Sequence, residues 1–210
     1  MERLPHRLKM SMSSEIHKDL ESSFTFFKRQ PEKNFLPWVG HRLTPRMFQE
    51  EQYIYQETES ISEVFFCCQG KIAYVLPRYD NACYYVAVKG DIFGLEDVIY
   101  NAHQLHGGVS DLKVMQKRKF YGDRRFSTMS LNISEALALS VPDLMKITSE
   151  FPKTIEVLYE DQSSLLEKLV VARVRQMDRC KQAQFTASGQ MIQSVHLPQF
   201  TGLQVETPAF

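Results

Sequence analysis

The chain has 210 residues, and 25 lysines and arginines balance 25 aspartates and glutamates, so the formal charge at pH 7 is zero. With 43% hydrophobic and 24% charged residues it reads as globular, one domain or one domain with a helical appendage. Charge neutrality opposes generic nucleic-acid binding, and no run approaches the roughly eighteen apolar residues needed to cross a bilayer.

The amino-terminal zone is helical in pattern. Met12, Ile16, Leu20, Phe24 and Phe27 recur at three- and four-residue steps, Pro31 interrupts them, and a second helix is expected over 32–41 with Phe35, Leu36 and Val39 inward. Leu4-Pro5 is expected just ahead of a first helix, and Pro45 closes this zone, which spans 1–44. Met1–His6 has no apolar leader core, so the expected location is the cytosol or the cytosolic face of a membrane.

From about Met47 the chain becomes rich in Tyr, Phe, Val and Ile, cut by turn residues every eight to twelve positions. Strands are expected over 52–56, 63–69, 71–76, 84–89, 126–131 and 136–139, a spacing that suggests an antiparallel sandwich or small barrel. The stretch 101–123 has no period and reads as an inserted surface loop. Ser140-Val-Pro-Asp143 is a helix start with capping serine, early proline and acid at the third position. After Phe151-Pro152 a longer helix is expected to about Lys181, and the tail over 186–210 reads as extended. The fold class is α+β.

Four cysteines, Cys67, Cys68, Cys83 and Cys180, show no C-x-x-C spacing and read as reduced thiols. His103 and His106 have no nearby acids or cysteines to complete a metal shell, so no metal is expected. Lys113, Lys117, Arg118 and Lys119 make the inserted loop basic. Arg124-Arg125-Phe126-Ser127 has the form of a basophilic kinase site, with Ser127 at the start of a strand. There is no G-x-S-x-G, H-E-x-x-H or phosphate loop ending in G-K-[ST], and the chain reads as a non-enzyme with no catalytic residues.

Four groups of residues carry a more specific likeness. Tyr53-Ile-Tyr-Gln-Glu57, Glu63-Val-Phe-Phe66 and Gln69-Gly-Lys-Ile72 resemble the opening strands of the cyclic-nucleotide-binding domain family. Lys89-Gly-Asp-Ile-Phe-Gly94 resembles its turn into the phosphate cassette. Arg125-Phe-Ser-Thr-Met129, Ala136–Ser140 and Glu150-Phe-Pro152 resemble its closing strands and first lid helix. Leu4-Pro5, Glu15-Ile-His17, Phe26-Phe27 and Phe35-Leu-Pro37 are similar to the C-linker helices of cyclic-nucleotide-gated, hyperpolarisation-activated and ether-à-go-go type cation channels.

The resemblance implies an antiparallel β-roll of jelly-roll type over 45–185, with flanking amino-terminal helices and a carboxy-terminal lid helix. It implies cAMP or cGMP as a regulatory ligand, held at Gly94, Leu95 and Glu96 by helix N–H groups and by Arg125, with Arg124 as understudy and Phe126 and Ser127 following. Leu165, Leu166 and Leu169 are the implied lid contacts. The implied partners are other subunits or domains of a channel or larger assembly, with homo-oligomer formation through the amino-terminal helices. Four features depart from the family pattern. Leu95 stands where the family has an acid, Glu96 and Asp97 would repel a phosphate, Phe126 replaces a small residue, and the link from Gly94 to Arg125 is long. Two functions follow: a nucleotide-regulated module of a cation (potassium) channel, or a ligand-free degenerate fold that serves as an interaction subunit.

Overall fold

The structure is a computed structural model describing residues 20–103 and 121–194. The readings at Leu4, Pro5, Met12, Ile16, His106 and the four basic loop residues, and the tail beyond 194, fall outside these residues. Two four-stranded antiparallel sheets form the centre, flanked by helices, and the class is α+β.

The first sheet runs β1 (Thr44–Phe48), β8 (Ser134–Ser140), β3 (Glu63–Gln69), β6 (Ile92–Phe93); the second runs β2 (Tyr53–Tyr55), β7 (Ser127–Ser130), β4 (Lys71–Leu76), β5 (Ala82–Val88). β3 and β4 match the expected ranges, because the Gln69-Gly70-Lys71 turn is unambiguous: Gly70 sits at φ +93, and a Cβ there would lie 2.2 Å from Ser134 Oγ. Two strands went unread. β1 contains Pro45, which looks like the end of a helical zone but is tolerated on this sheet's edge. β6 is only two residues long, too short to show alternation.

β3 is buried on both faces. Phe65 points between the sheets, where it stacks on Phe93 at 5.0 Å, while Phe66 points outward and receives Phe27 at 5.3 Å and Phe24 at 5.7 Å. Adjacent strand residues face opposite ways, so one Phe-Phe pair welds the sheets to the amino-terminal helical layer. That layer is more broken than its period suggests. Residues 20–23 are helical, Phe24 is extended at φ −118 and ψ 118, and α1 (Thr25–Lys28) and α2 (Phe35–Gly40) are short. The kink turns Phe24, Phe26 and Phe27 all into the core.

α3 (Leu95–His103) follows β6 directly and takes the first residues of the stretch expected to be loop. α4 (Val141–Glu150) begins as expected: Ser140 Oγ accepts from the Asp143 N–H at 3.2 Å. α5 (Pro152–Ser194) packs on β5 and α3 and runs well past Lys181. The extended tail expected from 186 is therefore corrected as far as Ser194. The segment lacks an apolar period, but no proline interrupts it, and helix propagates at low cost from a docked first half. None of these helices is long and apolar enough to cross a membrane.

Candidate functional site

The junction between β6 and α3 brings together most of the ionisable side chains in the interior. Gly94 has φ +81, and a Cβ on it would lie 2.8 Å from Arg124 Nη1, so only glycine fits without displacing that guanidinium. The next turn carries Leu95, Glu96 and Asp97, all buried, with both acids at 0% exposure. Acids in a first helical turn ordinarily face water and complement the helix dipole; these two face inward.

Arg124, 3% exposed, answers them. Its Nη1 donates to the Gly94 carbonyl at 2.8 Å and to Asp97 Oδ2 at 3.2 Å, and its Nη2 donates to the Glu63 carbonyl. The guanidinium carbon stands 3.9 Å over the centre of the Tyr55 ring. Asp97 Oδ1 accepts the backbone N–H of Arg125 at 2.7 Å. Glu96 Oε1 accepts from Tyr74 Oη at 2.8 Å and Tyr55 Oη at 3.1 Å, while its Oε2 has no hydrogen-bond partner among the described residues.

Two carboxyl groups thus share one guanidinium in a dry interior. Burial pushes the Asp97 carboxyl up to about 7, the charge of Glu96 adds to this, and Arg124 opposes it. Burial likewise raises the Glu96 carboxyl, against its hydrogen bond from Tyr74 and the pull of Arg124. The Tyr55 and Tyr74 hydroxyls are pushed well above their ordinary value by burial and by Glu96, so they stay protonated and donate.

The expected phosphate partner, Arg125, is exposed, with its guanidinium 4.9 Å over Tyr100. The inward guanidinium belongs to its neighbour Arg124. Phe126 is 2% exposed and meets Tyr74 edge-on at 6.1 Å. Ser127 is fully buried, and its Oγ accepts from the Glu57 N–H at 3.0 Å, so a kinase cannot reach it in the folded chain. Leu166 and Leu169 are buried in the core and Leu165 packs against it, so the three sit together on α5.

Three residues that carry the site were not singled out from sequence. Tyr55 and Tyr74 are inward positions of β2 and β4, and their role depends on a glutamate distant in the chain. Arg173 is the third. Its Nη2 donates to Glu57 Oε1 at 2.7 Å and its Nη1 to the Arg125 carbonyl at 2.5 Å, above the Phe126 ring at 5.7 Å. It fastens α5 over the strand that follows Arg124. Beside this clasp lies an open groove of about 390 Å³ between the loop after β2, the turn after β4, and Arg173 and Met177 of α5.

Chemically the cradle is already occupied by the chain's own two carboxyl groups. A phosphate brought within about 4 Å of either carboxylate would meet a repulsion of roughly 4 kcal/mol, and the guanidinium that would offset it is engaged. No cluster of three His, Cys, Asp or Glu able to hold a metal ion occurs among the described residues. Compared with protein-family models and with curated proteins, the chain matches none.

Proposed function

We propose that the chain is a divergent cyclic-nucleotide-binding-like module that works without nucleotide, as an interaction and coupling unit within a larger assembly of the cation-channel kind. The observation that carries this reading is the occupation of the cradle by the chain's own side chains: Arg124 is spent on Asp97 and on the Gly94 and Glu63 carbonyls. Phe126 and Leu95 on either side of it are buried in the core, each 2% exposed, which supports a cradle closed to a ligand.

The strand orders β1-β8-β3-β6 and β2-β7-β4-β5 support a jelly-roll ancestry, and the contact of Gly94 with the arginine ahead of β7 supports an inherited anion cradle. In this reading Asp97 does internally what a phosphate would do externally, keeping the roll closed and α5 seated. The position of α5, not ligand occupancy, is then what a partner reads.

Titration of the purified chain with fluorescent cAMP and cGMP tests it. No saturable change is expected up to high micromolar protein; saturable binding that Arg124→Ala abolishes would restore the nucleotide-sensor alternative.

A further inference from the structure

We propose that Thr44 is a phosphorylation site for a proline-directed Ser/Thr protein kinase, and that Arg46 receives the phosphate. The proposal rests on β1 and its register, and stands whether or not the cradle takes a nucleotide.

Such a kinase reads a serine or threonine followed by proline, in extended backbone that reaches solvent. Among the described residues Thr44-Pro45 is the one Ser/Thr-Pro pair. Both residues are exposed, and they open β1, an edge strand of the first sheet, so one flank of the backbone has no partner strand. Pro45 brings no N–H to the ladder with β8, which leaves this end of the strand more weakly held. Ser127 is the contrast: it follows a basic motif, but it is fully buried in β7, an interior strand of its sheet.

The register sets a cation beside the new phosphate. Thr44 stands opposite Ala138, Arg46 opposite Ala136, and Glu63 opposite Ser140. Positions two apart on a strand share a face, so these six residues lie on one face of the sheet. Arg46 reaches Glu63, with Nη2 donating to Oε1 at 2.5 Å and Nε to Oε2 at 3.3 Å, and its side chain crosses the level of Thr44 to do so. A phosphate on Thr44 Oγ1 brings about 1.5–2 negative charges and three acceptor oxygens to that guanidinium. Arg42, two residues earlier, is held elsewhere, over Trp38 and on Asp143. Glu63 also gives its carbonyl to Arg124, so a phosphate that draws Arg46 away acts on a residue that steadies the cradle.

The step is phosphoryl transfer from ATP. Thr44 Oγ1 attacks the γ-phosphorus, the bond to the bridging β-phosphate oxygen breaks with its electron pair leaving on ADP, and the hydroxyl proton passes to the base of the kinase.

Incubation of the folded full chain with a mitogen-activated protein kinase and Mg-ATP, followed by peptide mass mapping, is the test. Phosphate is expected at Thr44 and not at Ser127, and Thr44→Ala should lose it. No phosphate at Thr44, or phosphate on a synthetic peptide of residues 40–50 but not on the folded chain, overturns the site. Thermal unfolding then tests the acceptor. Phosphorylation should lower the midpoint of Arg46→Ala by about 2–4 °C more than that of the parent. Equal shifts in the two backgrounds overturn the role of Arg46.

Discussion

Arg124 Nη1 lies 2.8 Å from the carbonyl of Gly94, and these two residues, thirty positions apart, hold the start of α3 against the start of β7. The bond places the only guanidinium of the cluster where it touches a backbone carbonyl, a carboxylate and an aromatic face at once.

Removing that guanidinium leaves two buried acids without a counter-charge. Arg124→Ala is expected to lower stability by about 3–5 kcal/mol at neutral pH, and by less at acid pH where the acids take up protons. Arg125→Ala, one residue along and exposed, should change it by about 0.5 kcal/mol or less. Urea unfolding of both variants checks the contrast; equal losses would refute the assignment of the inward arginine.

Which of two adjacent arginines faces inward was not legible from sequence. Side-chain direction alternates along a strand, but register must be counted from a fixed point, and 101–123 offers no period from which to count. Glu96 failed for a different reason: a glutamate in a first helical turn is ordinarily solvated, and its partners Tyr55 and Tyr74 come from strands forty-one and twenty-two residues away. By contrast β3 and β4 could be read to the residue, since apolar runs bounded by a glycine turn encode strand, turn and strand locally. The α4 cap was legible for the same reason, Ser140 and Asp143 being three residues apart. Local chemistry was readable; pairings set by topology were not.

Asp97 makes stability depend on pH in an unusual direction. Its carboxyl is raised from 3.8 to about 7 on folding, so the folded state holds a proton that the unfolded chain releases. Its contribution to stability is complete below about 4, is lost progressively as pH rises towards about 7, and changes no further above that. Asp143, held low by Lys146 and Ser140, works the other way but only at lower pH. Thermal unfolding midpoints between pH 4 and 8 are expected to fall with rising pH, and Asp97→Asn should flatten the slope. A variant with the same slope as the parent would show that another group dominates.

The clasp of Arg173 on Glu57 is partly exposed, at 25% and 37%, so its loss should cost only about 0.2–1 kcal/mol overall. Its effect should be local instead. In Arg173→Ala, backbone amides of α5 beyond Leu169 are expected to exchange with deuterium faster, while those of β3 and β4 keep their protection. Uniform acceleration throughout the chain would mean that the clasp supports the whole fold.

α5 spans 43 residues, about 64 Å of helix, and Met177 is its last residue to line the groove beside the Arg173 clasp. The remainder is a rigid arm of roughly 25 Å. Pivoting that arm by about 10° at its root sweeps its far end through some 4 Å, about three-quarters of the rise of a helical turn, without any strand having to move. A shift too small to disturb the sheets is thereby magnified into one that another molecule gripping the tip would feel.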